Sequence, residues 1–224
     1  MISAREALER LREGNLRFVS EIRNHNGLTS QARRRELTTG QEPFATILGC
    51  SDSRVPVEIV FDQGLGDLFV IRVAGNIVAP SQIDSIEFAS ARFGTRLVVV
   101  LGHSRCGAIL ATIEELLLPK EQQSKNLRSI VDRVRPSVEG LLATELRQDS
   151  NALIRQAVRA NIRASANHLR HGSQVIEKFI QKDELLVVGA EYSLETGFVD
   201  FFDGIADIGT ELNRFPELKN QEEK

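Results

Sequence analysis

The chain contains four short apolar segments, and each has the length of a buried β-strand. They cover residues 44–50, 68–73, 97–102 and 185–190. Their apolar residues follow one another without alternating with polar ones, as is typical of strands that are covered on both faces. Such strands belong to the central sheets of α/β proteins, because helices pack on both sides of a parallel sheet.

Segments with helical periodicity separate the predicted strands. Ser81 is expected to cap a helix that has apolar residues at 83, 86, 89 and 93 and that Gly94 ends. A second helix is predicted to start at Cys106, and a long one to cover residues 151–169. This alternation predicts an α/β fold with a mainly parallel central sheet flanked by helices.

The first 40 residues show no strand pattern. An apolar stripe at Ala4, Leu8, Leu11 and Phe18 predicts a helix, and a second helical stretch follows near residues 30–37. We therefore predict one domain over residues 1–224, with an N-terminal helical arm (1–40), an α/β core (41–210) and a C-terminal tail (211–224). The arm could pack on its own core or on a partner subunit.

Composition and charge exclude several classes of protein. Lys plus Arg number 28 and Asp plus Glu 31, and this mildly acidic balance gives no support for nucleic-acid binding. The longest apolar runs are too short to span a bilayer, and the N-terminus lacks the apolar core of a signal peptide. Two cysteines do not make a disulfide scaffold. We expect a soluble, cytoplasmic protein with reduced thiols and no membrane partner.

Two motifs whose side chains could bind a metal or take part in catalysis directly follow the first and third predicted strands. One is Cys50-Ser51-Asp52-Ser53-Arg54, and the other is His103-Ser104-Arg105-Cys106-Gly107. Sites in open α/β sheets form outside the carboxyl ends of strands, so these motifs meet if the two strands are neighbours. Two thiolates and one imidazole suit zinc, and three protein ligands with an open fourth position are typical of catalytic zinc. The simpler alternative is a pair of buried free cysteines beside a packed histidine.

Asp52 and Arg54 are two residues apart and can point the same way. An arginine can hold a carboxylate through two parallel hydrogen bonds. An aspartate fixed beside zinc could orient the reacting water, or it could bind the metal itself and close the site. An ordinary ion pair is the alternative that the spacing leaves open.

Both motifs, C-x-D-x-R at residues 50–54 and H-x-x-C at residues 103–106, resemble the signatures of the β-class carbonic anhydrases. The resemblance is strong over residues 41–110 and weaker to the strand near residue 190. It implies one Zn²⁺ per subunit, held by Cys50, His103 and Cys106, and a catalytic dyad of Asp52 and Arg54. The implied reaction is the reversible hydration of carbon dioxide to bicarbonate and a proton through zinc-bound hydroxide.

The resemblance also implies how substrate is bound. Gln41, Phe69 and Phe88 match positions that line the substrate pocket from the neighbouring subunit, so a homodimer or a dimer of dimers is expected. Gly107 matches a glycine whose backbone N–H faces the substrate. Arg72 and Tyr192 match two members of a bicarbonate pocket that closes the site in some relatives, but Ile47 replaces its tryptophan. His25 is a weak candidate for proton transfer.

Two other functions stay open at the level of sequence. Related folds hydrolyse carbon disulfide, and the same metal site would serve that reaction. A non-catalytic zinc or redox-sensing module would use Cys50 and Cys106 differently. It predicts four protein ligands on the metal or a reversible disulfide.

Overall fold

A five-stranded sheet forms the centre of the computed structural model, which describes residues 2–22, 29–124 and 126–205. The strands lie in the order β2-β1-β3-β4-β5. Their bounds are Ala45–Gly49 (β1), Leu68–Arg72 (β2), Leu97–His103 (β3), Leu186–Tyr192 (β4) and Val199–Asp203 (β5). The first four pair in parallel, and β5 pairs with β4 in the antiparallel sense. The predicted α/β fold with a mainly parallel sheet is confirmed.

Each of the four predicted strands is present and starts within one residue of its predicted position. The fifth strand, Val199–Asp203, was not predicted. Val199 and Phe201 are buried but Asp200 between them is exposed, and the strand lies at the edge of the sheet beside β4. A strand with one covered side needs no continuous apolar run, so the signal that identified the other four is weak here.

Eight α-helices surround the sheet in the described part of the chain. They are Ala4–Val19 (α1), Gln31–Glu36 (α2), Val57–Val60 (α3), Pro80–Phe93 (α4), Gly107–Leu117 (α5), Arg128–Leu142 (α6), Ser150–His171 (α7) and Gln174–Gln181 (α8). Successive residues of β3 belong to different cores. Val98 and Val100 pack with α5, α6 and α7, whereas Val99 and Leu101 pack with α1 and α3. The sheet is therefore covered on both faces, as its apolar strands require.

The predicted helix ends are correct in part. Gly94 does end α4, in the left-handed conformation that glycine adopts without strain, with φ +63°. Ser81 does not cap this helix, because α4 begins one residue earlier at Pro80. Proline suits the first helical turn, since its fixed φ is helical and its missing N–H would have no partner there. Cys106 precedes the first residue of α5, within one residue of the predicted start.

The helix α1 packs on its own core rather than standing free for a partner. Ala7, Leu8 and Leu11 are at most 1% exposed in the core that also contains β3 residues. Asn15 is 2% exposed, and its amide nitrogen donates to the carbonyl oxygens of Val60 (3.2 Å) and Gly197 (2.8 Å). The predicted tail, residues 211–224, lies outside the described residues.

Asn15 gives a direct test of how α1 is attached. Its side-chain oxygen also accepts a hydrogen bond of 2.8 Å from the Val199 N–H, so Asn15→Ala leaves three backbone groups, two buried and one half-buried, without this partner. We expect a loss of about 2–3 kcal/mol in the free energy of unfolding, measured by urea denaturation followed by circular dichroism. Asn167→Ala is the matched control, because Asn167 is exposed and accepts a single bond from Arg170. Equal stability of the two variants would contradict this attachment.

Candidate metal centre

The two motifs meet because β1 and β3 are neighbours in the sheet. They pair in parallel with Gly49 opposite Leu101, so the residues that follow them emerge at the same edge. Cys50 comes directly after β1, His103 ends β3, and Cys106 caps α5. One ligand atom from each of these three residues lies within 4.8 Å of the others, and the two sulfur atoms are 4.0 Å apart.

The chemistry of this cluster fits a zinc ion. Cys50, His103 and Cys106 are 4%, 0% and 1% exposed. His103 Nδ1 lies 2.9 Å from the Ser104 carbonyl oxygen, which can only accept, so Nδ1 carries the proton and Nε2 presents a lone pair. Within the described residues that buried Nε2 has no hydrogen-bond partner. Zinc–sulfur bonds of about 2.3 Å in a tetrahedron place two sulfurs about 3.8 Å apart, close to the spacing here.

Backbone contacts fix Cys50 and the loop that follows it. The Gly75 N–H donates to Cys50 Sγ at 3.4 Å, and Asn161 holds the Gly75 carbonyl at 2.8 Å. The Arg72 guanidinium donates to the carbonyl oxygens of Cys50 (3.0 Å) and Asp52 (2.5 Å). Groups on β2, α7 and the loop after β2 therefore orient the first motif.

The electrostatics of the two thiols also favour a cation. A hydrogen bond from Cys106 lowers the pKa of Cys50, while the same bond, together with burial, raises the pKa of Cys106. Without a metal, the pair therefore carries one negative charge more readily than two. A divalent cation between the sulfurs would favour the ionised form of both.

Asp52 and Arg54 form a bidentate pair next to the cluster. Arg54 Nε and Nη2 donate to the two Asp52 oxygens at 2.9 and 2.8 Å, and the Arg54 backbone N–H adds a third bond at 3.0 Å. The side-chain bonds from Arg54 hold the pKa of Asp52 well below its usual range. Asp52 Oδ2 lies 3.8 Å from His103 Nε2. An ionised carboxylate thus lies at the mouth of the cluster with both oxygens held by Arg54.

Gly107 lies at the same edge of the sheet, as the first residue of α5. A Cβ built on it would meet nothing within 4 Å. Its backbone is not in the left-handed region, so the fold itself does not demand glycine here. The helix start that it occupies offers N–H groups without partners inside the helix.

Gln41, Phe69 and Phe88 do not join the cluster in this chain. Phe69 pairs with Thr46, four residues before Cys50, which corresponds to about 13 Å along a strand. The Phe69 and Phe88 rings lie 6.2 Å apart, and the Phe88 side chain is exposed. These aromatic residues form a surface cluster at the β2 edge of the sheet.

Phe93 also belongs to this aromatic cluster, although its spacing in the sequence predicted only a place in the apolar stripe of a helix. Its ring lies 5.9 Å from that of Phe69 and 5.5 Å from that of Phe88. Phe93 and Gln41 also line the same surface groove, so Gln41 and the aromatic cluster belong to one face. The grouping arises because α4 packs against β2, and the sequence alone does not show which helix covers this strand.

The other candidate residues are dispersed. Arg72 lies on β2 and Tyr192 on β4, with β1 and β3 between them, and Ile47 is fully buried. The Arg72 guanidinium contacts the loop carbonyls described above. His25 lies outside the described residues.

Comparison with known proteins places this geometry in a family. The family model for carbonic anhydrase matches residues 45–199. Carbonic anhydrase 2 of Mycobacterium tuberculosis is 39% identical over 209 residues, which cover 92% of this chain and 96% of that protein. The carbonic anhydrase of Mycolicibacterium smegmatis is 37% identical over 203 residues, covering 91% and 95%.

Solved structures agree with the sequence relatives. The β-carbonic anhydrase CcaA superposes with a TM-score of 0.71 at 26% identity and covers 89% of each chain. One of the tetrameric β-carbonic anhydrases of Sordaria macrospora gives a TM-score of 0.65 at 25% identity, covering 75% of this chain and 85% of its own.

The chain therefore belongs to the β-carbonic anhydrase family, and the resemblance seen in its two motifs is confirmed. It is an enzyme of the lyase class, a carbonic anhydrase. Among the described residues, no helix is long and apolar enough to cross a membrane.

Proposed function

We propose that this enzyme catalyses the zinc-dependent, reversible hydration of carbon dioxide to bicarbonate and a proton. Cys50, His103 and Cys106 would hold one Zn²⁺. The observation that carries the proposal is the buried His103 Nε2, which has no hydrogen-bond partner among the described residues and lies beside two thiols and an ionised carboxylate. Cytoplasmic location remains an expectation from the sequence.

When bound, zinc supplies a Lewis acid that activates water for attack on the carbon of carbon dioxide. Asp52 would accept a hydrogen bond from that water and so orient it. Because Asp52 stays ionised and Arg54 holds both of its oxygens, it is an acceptor of fixed direction. The bidentate contact also restrains Asp52 from swinging onto the metal, which supports an open site.

Gly107 would bind the substrate oxygens through its backbone N–H. The start of a helix favours negative charge, because its N–H groups are unpaired and its dipole is positive there. The open space around the Gly107 Cα supports this role, since that space is available to a small molecule next to Cys106.

The rest of the substrate pocket would come from a second subunit. Gln41, Phe69 and Phe88 lie on one face at the β2 edge, and Phe88 is 54% exposed. By strand register Phe69 is about 13 Å from Cys50. A homodimer, or a dimer of dimers, that packs through this face would place them over the partner's metal site.

Two alternatives use the same residues. A carbon disulfide hydrolase would keep the metal site and change the substrate. A non-catalytic zinc or redox module would need a fourth protein ligand or a disulfide. Among the described residues, the metal-binding group contains only Cys50, His103 and Cys106, and Asp52 is committed to Arg54.

The first test is a stopped-flow hydration assay on the wild type and Asp52→Asn, with zinc content measured on both. We expect about one zinc per subunit in each, and a rate lowered about 100-fold or more in the variant, because its amide no longer offers a charged acceptor. Asp203→Asn is the matched control, since Asp203 is similarly buried (20% against 17% exposed) and also pairs with an arginine.

Three results would contradict parts of the proposal. Equal rates in the wild type and Asp52→Asn would remove Asp52 from the reaction. Zinc-loaded wild type without hydration activity would contradict carbon dioxide hydration and leave the carbon disulfide hydrolase and the non-catalytic zinc module as alternatives. A wild type that binds no zinc would rule out the metal site.

A second test separates the role of Gly107 from its place in the fold. Gly107→Ala adds a methyl group where no protein atom lies within 4 Å, so we expect unchanged or slightly higher thermal stability but a lower hydration rate. Gly140→Ala, within α6, also meets nothing within 4 Å and should leave the rate unchanged. A Gly107→Ala enzyme with the wild-type rate would contradict substrate contact at this position.

A third test asks whether the site is shared between subunits. Gln41→Ala and Asp52→Asn variants are each expected to be impaired, but in a mixed dimer one of the two sites has both residues intact. Unfolding and refolding the two together should restore roughly a quarter of the wild-type rate by random pairing. No recovery in a sample that sedimentation shows to be dimeric would mean that Gln41 acts in its own subunit.

A further inference from the structure

The turn between His103 and Cys106 adopts an unfavourable backbone conformation. Arg105 has φ +53°, in the left-handed region that residues other than glycine seldom adopt. This conformation brings the His103 and Cys106 side chains to the same side of the turn. Contacts from outside the motif must hold it, because local preference opposes it.

Those contacts come from the end of β4 and the turn that follows. The Ser104 N–H donates to the Tyr192 carbonyl at 2.9 Å, and the Leu194 N–H donates to Ser104 Oγ at 2.9 Å. Ser104 Oγ in turn donates to Glu195 Oε2 at 2.7 Å, and Arg105 Nε lies 2.7 Å from Glu195 Oε1. One carboxylate thus contacts both residues between the two cluster members.

The turn that carries Glu195 is itself held firmly. The Gly197 N–H donates to the Ser193 carbonyl at 2.9 Å, and Gly197 adopts φ +75°. Asn15 of α1 holds both the Gly197 carbonyl and the Val199 N–H. Glu195 therefore projects from a turn fixed to the core, not from a free loop.

The residues that Glu195 contacts also touch the rest of the site. The Ser104 carbonyl accepts from His103 Nδ1, which leaves His103 Nε2 facing the cluster. The Arg105 carbonyl accepts from Arg54 Nη2 at 3.4 Å. A shift of this turn would therefore move the imidazole and disturb the arginine that holds Asp52.

We propose that Glu195 is a positioning residue, which holds the turn at Ser104 and Arg105 so that His103 and Cys106 present their ligand atoms to the metal. This inference rests on the proposed zinc site. The Glu195–Arg105 ion pair contributes little, because the Arg105 side chain is 73% exposed. The bond to the Ser104 hydroxyl carries the effect, and that bond keeps the pKa of Glu195 below its usual range.

The test measures metal binding rather than catalysis. Zinc affinity of Glu195→Ala is determined by competition with a chromophoric chelator, and the Co²⁺-substituted protein is examined by visible absorption. We expect zinc affinity about tenfold or more below wild type, as is typical when a group that orients a metal ligand is lost. We also expect altered cobalt bands. Glu195→Gln, which keeps an oxygen acceptor for Ser104, should recover most of the affinity.

Two further variants complete the design. Asp200→Asn is the control, because Asp200 is also an exposed carboxylate paired with an arginine, yet that arginine, Arg159, lies outside the motif. It should bind zinc like the wild type. Ser104→Ala removes the same bond to Glu195 and also the bond from the Leu194 N–H, so it should lose at least as much zinc affinity as Glu195→Ala. The double variant should lose little more than Ser104→Ala, because the bond between the two side chains is already absent. Ser104→Ala also serves if Glu195→Ala does not fold.

Zinc affinity within twofold of wild type, with unchanged cobalt bands in both Glu195→Ala and Ser104→Ala, would overturn the inference. An equal loss of zinc affinity in Asp200→Asn would also overturn it, because removing any exposed carboxylate that pairs with an arginine would then weaken zinc binding. If the proposed function itself is wrong, the wild type binds no zinc or hydrates no carbon dioxide. That result is seen before any variant is compared, so it is distinguished from a failure of this inference.

Discussion

The structure depends on the meeting of two parallel strand ends that carry sulfur and nitrogen ligands. Because β1 and β3 are adjacent, Cys50, His103 and Cys106 converge in a buried space where their ligand atoms lie within 4.8 Å. Two thiols so close cannot both ionise easily, and a buried imidazole nitrogen without a partner is costly. A cation removes both penalties at once, so the cluster is better explained as a metal site than as packed core residues.

In the proposed function, the dyad beside the cluster makes the metal site reactive. Zinc with three protein ligands retains an open position, and Asp52 could either fill it or act beside it. Three hydrogen bonds from Arg54 hold Asp52 in this conformation, which favours the second role. The arginine thus has an electrostatic and a geometric effect, since it keeps the carboxylate ionised and aims it.

The sequence predicted the parts of the molecule in which local pattern and tertiary role coincide. The central strands are continuously apolar because both faces are covered, and the two motifs lie at strand ends because parallel sheets form sites there. The strand Val199–Asp203 was missed because an edge strand carries a weaker pattern. The start of α4 was misplaced by two residues, since Ala79 rather than Ser81 is the N-cap and Pro80 takes the first helical position.

Contacts made across the fold could not be read from the chain. Arg72 follows Cys50 by 22 residues and Glu195 follows Ser104 by 91, so their hydrogen bonds emerge only once β2 and the turn after β4 are in place. The separation of Phe69 from the metal cluster has the same origin, because strand register sets it, and Phe88 lies beside Phe69. Spacing identifies ligand candidates, while topology decides what surrounds them.

The central claim is that Cys50, His103 and Cys106 hold zinc while Asp52 stays on Arg54. A crystal structure of the zinc-loaded enzyme near neutral pH, with anomalous diffraction at the zinc edge, tests it most directly. We predict zinc bound by the two sulfurs and His103 Nε2, a fourth position free of protein, and an intact Asp52–Arg54 pair. Zinc coordinated by Asp52 with that pair broken, or no zinc between the three residues, would contradict the account.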